Sequence, residues 1–108
     1  MENLTIWIIE SRHKNPNDFY VKVDGSDYYK GFWVANAKSI PLANELMMEA
    51  CAELDLGTVE IVATTTAARM SDATPKEARE KIKHLVDQIK AKEDVQLAAW
   101  ISSNGGLW

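Results

Sequence analysis

The sequence predicts an α+β domain, a mixed five-stranded sheet in the order β-β-β-α-β-α-β with two helices on one face. Three observations carry that expectation. The first third holds three short runs rich in β-branched and aromatic residues, separated by turn signals. The rest holds two apolar stripes at helical spacing, each followed by a strand-like run. The chain has 108 residues, the size of one compact domain with a single modest core.

Leu4 to Ile9 reads as the first strand, too short and too β-branched for a helix. Ser11 to Asp18 then reads as a polar loop punctuated by Asn15-Pro16. Phe19 to Val23 alternates with period 2 and runs into Asp24-Gly25-Ser26, a hairpin signal. The return strand spans Tyr28 to Ala35, and Gly31 in its middle signals a bulge or a close approach. Ser39 can N-cap a helix with Pro41 in its first turn, whose inward stripe is Ala43, Leu46, Met47, Ala50, Cys51 and Leu54. Gly57 falls where a positive φ would end that helix. Thr58 to Thr66 is the fourth strand, with Val59, Ile61 and Ala63 on one face. Thr74-Pro75-Lys76-Glu77 has the spacing of a capping box, opening a second helix that faces Ala78, Ile82, Leu85, Val86 and Ile89 inward and stops near Lys92. Val95 to Ile101 is the last strand. Residues 1–102 thus form one domain, and 103–108 a flexible Gly/Ser tail ending in Leu107-Trp108. Right-handed crossovers place consecutive helices on one side of a sheet that grows in one direction, and the opening meander offers no helix for the other side.

Composition narrows the function. Twelve Lys and Arg against sixteen Asp and Glu leave a net charge of −4, which argues against nucleic acid, since affinity for a phosphate backbone rests on cations. No apolar run is long enough to span a membrane, and no export signal opens the chain. Cys51 is the single cysteine, so neither an internal disulfide nor a cysteine zinc cage can form. The expectation is a soluble, cytoplasmic domain without metal or other cofactor.

Strand alternation divides the sheet into two faces. An aliphatic set (Ile6, Ile8, Phe32, Val34, Val59, Ile61, Val95, Leu97, Ala99 and their neighbours) belongs beneath the helices. The other set holds Trp7, Ile9, Tyr20, Tyr29, Trp33, Val62 and Trp100. On a face without a helix it would form an exposed aromatic patch of the kind interfaces favour. Trp7, Tyr20, Tyr29, Trp33 and Trp100 are therefore the candidate partner-binding or ligand-binding residues. A bulge at Gly31 or a register shift would instead turn part of this set inward.

Other chemistry is sparse. His13 reads as a solvated loop histidine and His84 as an exposed helix residue, with no metal-ligand spacing between them. Cys51 reads as core filler. Met48 and Ala52 lie on the polar side of the first helix, and the pairs Glu49/Glu53 and Glu77/Glu80 read as solvated decoration. Thr65, Thr66, Arg69 and Thr74, ahead of a helix N-terminus, are the one place an anion site could assemble; standard nucleotide motifs are missing.

These features favour a non-enzymatic binding protein that inhibits or neutralises a partner protein, in the manner of an acidic immunity or inhibitor protein, through the aromatic face. A basic partner would be steered by charge. The alternative is a homo-oligomeric protein that binds a small planar or anionic ligand, with Arg69 receiving the anion.

Overall fold

The computed structural model describes residues 4–16, 25–69, 74–89 and 93–103. These form strands β1 (Thr5–Lys14) and β2 (Tyr29–Ala37), helix α1 (Ile40–Leu54), strand β3 (Thr58–Thr66), a 3-10 turn at Ala67–Arg69, helix α2 (Lys76–Gln88) and strand β4 (Asp94–Ser102). The fold is α+β. The sheet order is β3-β1-β2-β4, and every pairing is antiparallel. The expected mixed, five-stranded sheet is therefore corrected to four antiparallel strands among the described residues; the expected strand Phe19–Val23 lies outside them.

β1 runs through Ser11 to Lys14, the segment expected to be a loop. The alternation explains it: Glu10, Arg12 and Lys14 occupy one side, while Ile9, Ser11 and His13 continue the other side inward.

α1 begins as the sequence implies. The Ser39 hydroxyl accepts the Leu42 N–H at 3.4 Å, and Pro41 sits in the first turn. Ala43, Met47 and Cys51 are fully buried, with Leu46, Ala50 and Leu54 packed beside them. The left-handed residue that ends the helix is Asp55 (φ 53°), not Gly57. α2 starts one residue later than its capping box would have it. Pro75 holds the cap position and no side chain caps the helix, so the free N–H groups of its first turn depend on Glu77 for electrostatic support. It ends at Gln88, with Ile89 already extended.

The two helices cover opposite faces, which corrects the one-sided arrangement. α1 packs on Ile9, Tyr29, Trp33, Ala35 and Trp100. α2 packs on Ile8, Phe32, Val34 and Ala99 through Ala78 and Ile82. Consecutive residues Ile8 and Ile9, or Trp33 and Val34, serve different half-cores because strand side chains alternate. A sheet apolar on both faces needs cover on both.

Both edge strands carry a bulge. Glu10 pairs with Ala63 and Ser11 with Ile61, so Val62 is an extra residue in β3. Phe32 pairs with Ala99 and Trp33 with Leu97, so Ala98 is extra in β4. Each bulge switches the face of the residues beyond it. Ile61 and Val59 join the α1 side while Ala63 does not, and Val95 and Leu97 join α1 while Ala99 joins α2. Bulges also blunt edge strands against pairing with another chain.

Candidate functional site

The aromatic set is brought together, but as a core. Tyr29, Trp33 and Trp100 are each no more than 2% exposed beneath α1, and Tyr29 stacks on Trp100 with ring centres 5.4 Å apart. Trp7 is half-buried at the margin and donates its indole N–H to the Ala37 carbonyl at 3.0 Å. Tyr20 lies outside the described residues. Tyr29, Trp33 and Trp100 are accordingly not a surface; α1 supplies the cover that a one-sided helix arrangement would deny that face.

Within this core lies a polar cluster that a loop assignment of His13 conceals. His13 and Ser11 are both 0% exposed. His13 Nδ1 lies 3.2 Å from the Leu56 carbonyl, which can only accept, so Nδ1 carries the proton. Nε2 is then an acceptor and takes the Ser11 hydroxyl at 2.6 Å. The Trp33 indole N–H donates to Ser11 Oγ at 2.8 Å, and the His13 ring leans on Trp100 at 4.8 Å. Burial pushes the His13 pKa down to about 4, only partly offset by the bond to Leu56. A serine hydroxyl bonded to a neutral imidazole is the geometry of an activated nucleophile. With both side chains sealed from solvent, no substrate reaches it. The cluster is structural: each buried polar group has a partner.

Gly31 makes room for it. A Cβ there would stand 2.7 Å from Ser11 Oγ, 2.9 Å from Trp33 Nε1 and 3.2 Å from His13 Nε2. Gly31→Ala is expected to break the two serine hydrogen bonds and cost about 2 kcal/mol, from overpacking and stranded polar groups, measurable by urea denaturation.

Among the described residues the anion candidates show no built site. Thr65 and Thr66 are half-buried in β3, Arg69 is exposed after the 3-10 turn, and Thr74 is buried. Thr65 Oγ1 sits 3.5 Å from the Arg69 carbonyl; residues 70–73 lie outside the described residues. Cys51 is buried against Met47, Sγ to Sδ 3.3 Å, and desolvation pushes its thiol up to about 12, the state of an unreactive thiol. His84 is exposed and accepts from the Gln88 amide at 3.0 Å. No group of three His, Cys, Asp or Glu gathers among the described residues, and no helix there is long and apolar enough to cross a membrane.

What the molecule presents is the outer side of α1. Ile40, Leu42 and Met48 are exposed apolar residues. Glu45, Glu49 and Glu53 are exposed at four-residue spacing, and the helix contains no basic residue. Like charges at this spacing each destabilise a helix by about 0.2–0.5 kcal/mol, and Glu53 also sits at the negative end of the helix dipole. α2 is the internal comparison. Its exposed positions alternate in sign, Lys76/Glu80, Glu77/Lys81 and Lys83/Asp87, as a helix that merely faces water does. Beside α1, a groove of about 170 Å³ runs between Met48, Ala52 and Val59 toward β3. The Thr64 hydroxyl, bonded to Asn44 Oδ1 at 2.7 Å, fixes the helix over that strand. A larger open groove of about 580 Å³ lies between α2 and β4, lined by Leu85, Leu97 and Ala98 together with Glu77, Glu80, Lys81 and His84.

Comparison with protein-family models, with curated proteins and with solved structures gives no match.

Proposed function

We propose that this protein is a non-enzymatic binding domain that neutralises a basic partner protein, docking it on the outer side of α1. The observation that carries the reading is the carboxylate stripe Glu45-Glu49-Glu53 beside exposed Leu42 and Met48, with no cation in the helix. Such a stripe costs stability in the free protein and is recovered only against positive charge. The net charge of −4 steers the same kind of partner.

Glu49→Lys tests this with opposite signs on stability and binding. Two repulsive pairs become two attractive ones, so the fold should gain about 1 kcal/mol, a rise of roughly 4–8 °C in midpoint on thermal melting. Partner captured from cell extract at low salt by the wild-type protein should be lost by the variant and kept by Glu80→Lys on α2. Capture that survives Glu49→Lys but fails in Glu80→Lys would overturn the assignment to α1.

A second reading is favoured by the α2–β4 groove, whose volume of about 580 Å³ is in the range of small-molecule sites. Its apolar lining of Leu85, Leu97 and Ala98 would meet a small planar ligand, with Glu77, Glu80 and Lys81 offering polar contacts. Ultraviolet absorbance of a ligand retained by the purified protein would support it.

A further inference from the structure

We propose that His13 is the fastening of an acid-released latch, which holds the C-terminal end of α1 on the sheet at neutral pH and frees it when the imidazole takes a second proton. The inference names a regulation of the α1 surface and takes its biological meaning from the proposed docking role of that helix; the opening itself does not depend on a partner.

The latch is a short chain of bonds. Leu56, the second residue beyond α1, is 0% exposed. Its N–H donates to the Cys51 carbonyl at 3.1 Å, and its carbonyl accepts from His13 Nδ1 at 3.2 Å. One residue therefore ties the last turn of the helix to β1. The two residues around it, Asp55 (φ 53°) and Gly57 (φ 76°), both hold positive φ, so the connection is a sharp turn held in place from outside the helix.

A second proton on His13 sets this arrangement against itself. Nε2 becomes a donor, and the Ser11 hydroxyl must turn away. The Gly31 carbonyl, 3.3 Å from Ser11 Oγ, can receive it, leaving Ser11 to accept from both Trp33 and His13. The hydrogen bonds can be rearranged; among the described residues no carboxylate offsets the charge. From β1, Ser11 shares the His13 face, while Glu10 and Arg12 alternate to the other face and Lys14 is exposed at the strand end. β2 presents Tyr29, with Lys30 on the other face; β4 presents Trp100 and Ser102; β3 presents Val59, with Glu60 on the other face. α1 presents Cys51, and the carboxylate at its end, Asp55, is exposed. A buried imidazolium in such surroundings is expelled toward water.

The release is local because the core is divided. His13 meets Leu56 and Trp100 of the α1 half, and α2 rests on Ile8, Phe32 and Val34 across the sheet. The direction follows from linkage. A histidine held near 4 in the closed state and near its ordinary 6.5 once open leaves the latch closed above pH 6.5 and progressively opens it from 6.5 down to 4. At pH 4.5 the opening equilibrium should rise about 60-fold.

Amide hydrogen exchange on the full chain at pH 7 and 4.5, corrected for the intrinsic pH dependence of exchange, reads this directly. The expected result is a loss of protection of about 60-fold for Met47 to Gly57, with Ala78 to Leu85 in α2 unchanged. His13→Asn keeps a donor for Leu56 without the titration and should remove the difference. Should that variant fail to fold, the imidazole titration observed by nuclear magnetic resonance in the wild type decides instead: its midpoint must lie above the closed value of about 4 and below 6.5, with protection of the α1 amides falling over the same range. Equal loss of protection in α1 and α2, no loss in α1, or acid loss that persists in His13→Asn would overturn the latch. Failure of the partner reading is separate: capture at pH 7 indifferent to Glu49→Lys leaves the exchange result standing.

Discussion

Trp33→Ala is expected to destabilise the fold severely rather than to weaken binding. Trp33 is 1% exposed at the centre of the α1 half-core, and removal of such a side chain typically costs about 3–5 kcal/mol through lost burial and the cavity left behind. The change also takes from Ser11 Oγ its indole donor at 2.8 Å, disturbing the cluster that holds His13. A domain of this size is stable by roughly 5–15 kcal/mol, so the variant should melt tens of degrees lower or be unfolded at 37 °C. Trp7→Ala is the matched control. Trp7 is half-buried with one hydrogen bond, to the Ala37 carbonyl, and should cost clearly less. Circular dichroism melts of the two variants decide the matter. Equal, small losses would return Trp33 to the surface and remove the α1 half-core.

That contrast shows where sequence reading succeeds. The order from Tyr29 onward is legible because α1 and α2 carry long apolar stripes and β2, β3 and β4 carry β-branched runs. The division of β1 and β2 into faces is legible too: Ile6, Ile8, Phe32 and Val34 part correctly from Trp7, Ile9, Tyr29 and Trp33. Gly31 marks a close approach, as its place in a strand suggests. The bulges at Val62 and Ala98 are not legible, since an extra residue leaves composition unchanged and only pairing reveals it. Plain alternation therefore puts Val59, Ile61, Val95 and Leu97 on the wrong side. The largest correction, the position of α1, turns on the aromatic set. With both faces of the sheet apolar and two amphipathic helices to place, one helix per face buries more than two on one face. Tyr29, Trp33 and Trp100 were the signal for a helix there.

The candidate surface is legible only in part. As a pair in sequence, Glu49 and Glu53 read as ordinary solvation. Only against α2, where charges at four-residue spacing alternate in sign, does a helix with Glu45, Glu49 and Glu53 and no cation stand out. Met48 and Ala52, also visible in sequence, line the groove beside that helix. His13 is hidden by its flanking Arg12 and Lys14, although the parity of Ile9, Ser11 and His13 places it inside.

Gly57→Ala should be the most damaging change outside the aromatic core, for two reasons that a second glycine separates. A Cβ at Gly57 would stand 2.1 Å from the Lys14 carbonyl oxygen, 2.7 Å from Asn15 C and 2.8 Å from the Asn15 carbonyl oxygen. All three are backbone atoms, so no side chain can rotate aside. The position also has φ 76°, a conformation that costs an L residue about 1–2 kcal/mol. Gly25 has nearly the same φ, 80°, with nothing within 4 Å of a Cβ. Gly25→Ala therefore isolates the backbone penalty and should cost about 1 kcal/mol. Gly57→Ala should exceed it by about 2 kcal/mol or more, the part owed to overpacking, in urea denaturation of both variants. The excess measures how tightly the turn after α1 is pressed onto the end of β1, beside the Leu56 carbonyl that His13 holds. An alanine at 57 that pushes this turn away should also lengthen the His13 bond and hydrate the imidazole, so its pKa should rise from about 4 toward 6.5. Equal costs for the two alanines, with an unmoved imidazole titration, would mean that the turn and the strand are not in contact.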